Sequence, residues 1–181
     1  MFLVIDALEA QAGAASPGPF TGTLHSDLIT NVTTPAPCST SAPCPTIFSD
    51  SARVTLHVSP KDITTLGTMS QPSSNNQVTI HRYRVDYRRA DGRNTPGVDV
   101  PYGFDGATTG TISESDATLT FVLVRVQAKL ESPLVNLAGL GGAQAIATLA
   151  DVTFYGRDQA GNDVKVTGSI NVTFADFSDP Q

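Results

Sequence analysis

Five of the eight arginines fall between Arg82 and Arg93, in a chain whose formal net charge is −6. Arg82, Arg84 and Arg88 share one parity, opposite to Tyr83, Val85 and Tyr87. In a strand the arginines therefore line an outer face while the other three side chains turn to a core. A guanidinium stripe can take carboxylates bidentately, which makes it a candidate surface for an acidic glycan or an acidic protein partner. The competing and favoured expectation is a solvated face on which Asp86 and acids of neighbouring strands form cross-strand pairs of small energy. Tyr102 and Phe104, in a Gly/Pro loop, are candidates for an exposed aromatic patch beside the arginines.

No other group of residues has the spacing of a reactive centre. There is no Gly-x-Ser-x-Gly elbow, His-Glu-x-x-His or phosphate-binding loop. Gly139-Leu-Gly141-Gly142 lacks the last glycine of a dinucleotide loop and precedes a strand, so it reads as a connection. His25, His57 and His81 lie on separate segments. His57 is expected on a solvated strand face, and His81, at a presumed bulge, as a satisfied core histidine. The three glutamates, Glu9, Glu114 and Glu131, sit in loops or at a terminus, which leaves little for the carboxylate pair of a glycosidase. Asp158, Asn162 and Asp163, or Asp99 and Asp105, offer oxygen ligands for calcium, but Asp and Asn in turns serve the backbone first. No metal and no cofactor is expected.

Cys38 and Cys44 lie alone in a Pro/Ser/Thr segment, and a disulfide between them is the simplest reading. Closing so short a loop contributes about 2 kcal/mol on the chain-entropy model. A zinc site would need two further ligands, and the histidines have no helpful spacing. The disulfide implies an oxidising, extracytoplasmic compartment. Phe2-Leu3-Val4-Ile5 is too short for the apolar region of a signal peptide, so a leader or lipid anchor outside these residues is expected. No run approaches a transmembrane helix. Net negative charge argues against a nucleic-acid ligand.

At 181 residues the chain can close one core undivided. Its low charge, 15%, and many β-branched residues suit an all-β protein. From 164 to 174, Val164, Val166, Ile170, Val172 and Phe174 alternate with Lys165, Thr167, Ser169, Asn171 and Thr173. With 143–155 upstream and the turn residues Asp158, Gly161, Asn162 and Asp163 between, this predicts a closing hairpin. Residues 52–58 and 78–89 predict strands, the latter with a bulge near His81 where the apolar parity changes. Residues 20–32 predict one long strand; 98–102 and 108–112 weaker ones; 117–130 a central strand covered on both faces. Ser59-Pro60 to Gly67 and Ser132-Pro133 to Gly139 predict short helical turns. The expected fold is a single antiparallel sandwich of seven to nine strands over 19–181.

Residues 1–18 are expected to form an apolar strand and an Ala/Gly/Pro linker. The strand (Phe2, Leu3, Val4, Ile5, Leu8) can dock on its own sandwich, the favoured reading, or add to a neighbour's edge and build a polymer. A homo-oligomer is thus one expected outcome.

Phe154-Tyr155 followed by Asp158-Gln-Ala-Gly161-Asn162 and an alternating strand resembles the final hairpin of bacterial Ig-like and hyalin-type repeats. Tyr83-x-Val85-x-Tyr87-Arg88 with Asp91-Gly92 is similar to the central strand and turn of fibronectin type III domains. The resemblance covers roughly forty residues and departs from both families in lacking Trp and a cross-sheet disulfide. It implies a secreted or surface module for binding, adhesion or spacing, without catalysis. A self-assembling subunit of a surface fibre or layer is the alternative. A carbohydrate-active enzyme or carbohydrate-binding module is the more distant one.

Overall fold

The computed structural model describes residues 2–59 and 76–177. Eleven strands are present among them. One sheet has three strands in the order β1 (Phe2–Gln11), β5 (Asp50–Ser59), β9 (Ala117–Val124). The other has six: β2 (Thr23–Asp27), β11 (Asp163–Ala175), β10 (Ile146–Asp158), β6 (Val78–Arg88) and β7 (Phe104–Gly106), with β8 (Gly110–Ile112) also on β6. The protein is an all-β sandwich. A small ribbon, β3 (Thr30–Val32) with β4 (Cys44–Thr46), stands apart from both sheets.

The pleat explains the two layers. On β5, Ala52, Val54, Leu56 and Val58 are buried while Arg53, Thr55 and His57 face out. On β11, Ile170, Val172 and Phe174 are buried, and on β10 Ala150, Val152 and Phe154. The sheets meet through Phe121 of β9, whose ring centroid lies 4.9 Å from Tyr83 and 5.2 Å from Phe154. Tyrosine hydroxyls add polar links: Tyr83 donates to the Val122 carbonyl at 3.0 Å and Tyr87 to that of Leu123 at 2.6 Å. Each fully buried side chain of this size contributes roughly 1.5–3 kcal/mol.

Among the described residues, one ion pair is fully buried. Asp50 and Lys129 have 0% side-chain exposure, with Nζ 3.0 Å from Oδ1. The carboxylate also accepts from the Gly13 N–H at 2.7 Å and the Ser26 hydroxyl at 2.6 Å. Lys129 also donates to the Asp27 carbonyl at 2.6 Å. Burial pushes the Asp50 pKa up, opposed by Lys129 and the hydrogen-bond donors. The network ties β5 to β2, to the segment after β1 and to the helix α1 (Val126–Leu130).

The closing hairpin and the 52–58 strand form as the alternation predicts. So does the bulge: β6 slips against β10 between Tyr155 and Gly156, with Arg82 opposite Tyr155 and Ile80 opposite Gly156, leaving His81 as the extra residue. Other expectations need correction. Residues 20–32 break into β2 and β3, which belong to different sheets, and β2 runs parallel to β11. Residues 117–130 do not form a central strand. Among the described residues β9 pairs only with β5, at the edge of that sheet, and the chain turns into α1 after Val124. Leu123 and Val124 are both buried at that turn, which produced the two-sided apolar pattern. Residues 98–102 form a turn, and the strand follows at β7. Residues 134–137 form a 3-10 turn near the expected helical one. The turn expected after Ser59 lies outside the described residues.

β1 continues through Gln11, past the expected start of the linker, and pairs antiparallel with β5 of its own chain. Leu3 and Ala10 are buried and Phe2 is 56% exposed. Ile5 and Leu8 pack on the core, over Gly168 of the opposite sheet, where a side chain would meet Ile5.

Candidate functional site

The bulge on β6 shapes the outer face of the large sheet. Because His81 is an extra residue, both it and Arg82 are exposed. Gly156 lets the strands close at that point, since a Cβ there would stand 2.8 Å from the Thr79 carbonyl oxygen. The result is a pocket of about 440 Å³ lined by His81, Arg82, Tyr155, Gly156, Arg157, Asp163, Val164 and Lys165.

Hairpin register sets its chemistry. Tyr155 stands directly opposite Lys165, and Arg157 opposite Asp163. The Arg82 guanidinium lies 4.1 Å from the Tyr155 ring centroid, a cation–π contact that holds the charge over the pocket. Arg82 also reaches Asp105 at 3.2 Å, and Arg157 holds Asp163 at 2.9 Å. Lys165 has no ion pair or hydrogen bond among the described residues. One unpaired ammonium, a stacked guanidinium and an imidazole thus border a concave surface that can receive an anion.

The rest of the arginine stripe is neutralised. Arg84 binds Asp86 at 2.8 Å and Asp105 at 2.9 Å, and Arg88 binds Asp151 at 2.6 Å. These are the cross-strand and local pairs that the ion-paired reading expects. Asp151 is partly buried, which pushes its carboxyl up, but the bonds from Arg88 and Ser169 outweigh this and hold it below the ordinary range. Asp91 is held low by Arg89 and Arg93 in the same way.

The other candidates separate. Tyr102 is 52% exposed, but Phe104 is buried against Tyr83, so no aromatic pair is presented. The Arg125 guanidinium lies over the Phe104 ring at 4.2 Å, and its Nε is buried without a hydrogen-bond partner among the described residues. Asp158 accepts the Asn162 side-chain and backbone N–H groups, which lower its pKa, and Asp163 accepts from Arg157. The calcium candidates are thus turn and ion-pair residues. Asp99 accepts the Thr95 N–H and Asp105 serves the two arginines. Glu9 pairs with Arg53, and Glu131 accepts from Gln127. His81 is exposed, not a core histidine, because the bulge turns it out. Cys38 and Cys44 form a disulfide.

Sequence reasoning missed Tyr155, Arg157 and Lys165. A signal was present: the Asp158–Asp163 turn fixes the hairpin register, and that register places Tyr155 beside Lys165. No protein-family model, curated protein or solved structure gives a significant match to this chain.

Proposed function

We propose that this chain is a non-catalytic, extracytoplasmic Ig-like binding module whose ligand is an acidic glycan held at the Arg82–Tyr155–Lys165 pocket. The observation that carries this reading is the unpaired Lys165 beside an Arg82 stacked on Tyr155, in an outer face whose other arginines are matched by aspartates. A local cationic site in an acidic molecule focuses anionic ligands there. A sugar ring fits a pocket of this size and a carboxylate suits the guanidinium fork. The disulfide supports an oxidising compartment. No helix among the described residues is long and apolar enough to cross a membrane. The non-catalytic reading is favoured because Asp163, which lines the pocket, and Asp105, which reaches Arg82, are both engaged by arginine.

The test is retardation of the untagged chain in gels containing polygalacturonate, with neutral dextran as control. Retardation by polygalacturonate alone is expected, weakening as salt screens the charges. It should fall in Lys165→Ala and in Arg82→Ala and persist in Arg88→Ala. Equal retardation of all variants, or none in the wild type, overturns the proposal.

A further inference from the structure

The outer face of the opposite, three-stranded sheet carries a second cluster, far from the arginines in chemistry. Asp6 of β1, His57 of β5 and Asp116, which precedes β9, bring one ligand atom each within 4.8 Å of one another. β1 and β5 supply one residue each, and the third comes from the turn that leads into β9. Asp116 reaches the row because Ala117 pairs with Leu56, which sets the preceding residue across from His57. Asp6 reaches it through a bulge: the β1–β5 register slips between Ile5 and Ala7, and Asp6 is the extra residue. Its Oδ2 stands 2.7 Å from His57 Nδ1.

Charge sets this cluster apart. Elsewhere on the strand faces, Asp86, Asp105, Asp151 and Asp163 each hold an arginine. Asp6 has only the imidazole, and Asp116 has no ion pair or hydrogen bond among the described residues. Among the described residues, two carboxylates converge on one nitrogen ligand with no Lys or Arg ion-paired to them. We infer that Asp6, His57 and Asp116 form a binding site for a divalent transition ion of the zinc class. An imidazole with two carboxylates is a donor set for such an ion, whereas calcium takes oxygen ligands alone. Donors of a tetrahedral zinc site stand roughly 3.3 Å apart, given bonds of about 2.0–2.2 Å. The three ligand atoms already lie within 4.8 Å of one another, and the Asp6–His57 pair, at 2.7 Å, would open to the tetrahedral spacing around an ion. Water completes the coordination. The bound ion joins all three strands of the sheet and fastens its edge strand β1 to the other two.

The experiment is calorimetric titration of the untagged full chain with ZnCl2 and, in parallel, CaCl2, with hydrogen exchange of β1 followed in both. One zinc per chain is expected, with slower exchange in β1 and no calcium heat. Asp116→Asn, whose side chain has no partner to lose, and His57→Gln should each weaken zinc binding at least about tenfold. His25→Ala should leave it unchanged. No zinc heat, zinc binding undiminished in Asp116→Asn, or calcium binding that survives His57→Gln overturns the inference. Circular dichroism of each variant checks that the fold is kept, and Asp116→Asn decides the matter if His57→Gln unfolds.

Discussion

Asp50–Lys129 and Arg84–Asp105 join a carboxylate to a cation at nearly the same distance, 3.0 and 2.9 Å. The first pair has 0% side-chain exposure on both partners; the second has 40% and 42%. Water and salt screen the outer pair, so it adds little to stability and can be exchanged for a ligand. Inside, both ions have lost their hydration. The pair persists because Ser26, Gly13 and the Asp27 carbonyl complete its hydrogen bonds. The same contact therefore acts as a fixed joint in one region and as adaptable surface chemistry in the other.

The comparison breaks most visibly at Lys129. Lys129→Met leaves the Asp50 charge uncompensated and should cost about 3–5 kcal/mol in urea unfolding. A loss near that of a surface pair would mean that water reaches Asp50. Tyr87→Phe sharpens the same side without touching a formal charge. It removes the buried donor to the Leu123 carbonyl and should cost about 1–3 kcal/mol, read from the same denaturation curves. An effect equal to that of Lys129→Met would show that buried polarity in general, and not charge, dominates this region.

The smallest expected effect lies outside, in the pH dependence of Asp151. Its carboxyl is held below its ordinary value of 3.8. Its contribution is thus present above that value and is lost as pH falls through the folded value. Asp50 has the opposite sign: burial raises it, so its contribution is largest in acid and declines as pH rises through the raised value. Denaturant midpoints for wild type and Asp151→Asn should therefore differ slightly at neutral pH and converge below about pH 4. A gap that widens in acid would contradict the assignment.

Local alternation carried most of the fold into view. β5, β6 and the β10–β11 hairpin follow directly from period two, and even the His81 bulge is visible as a change of parity. What escaped is non-local. Nothing in residues 20–32 records that β2 joins one sheet and β3 a separate ribbon. Nothing in the sequence sets Lys129 beside Asp50 until the fold brings the two together. The site was half legible: Arg82 was in the expected stripe, but its partners come from the closing hairpin. Asp6, His57 and Asp116 are scattered through the sequence and meet only because a bulge and two strand registers align them.

The alternation on β6 also guards folding fidelity. Arg82, Arg84, Asp86 and Arg88 interleave with Tyr83, Val85 and Tyr87. A slip of one position against β10 would turn the four charged side chains inward and the aromatic ones into water. Such a misaligned state would have to desolvate charges without the partners they hold on the surface. The residues that contribute little to the native energy thus make the competing arrangement inaccessible, and they act during assembly of the sheet, before any ligand is met.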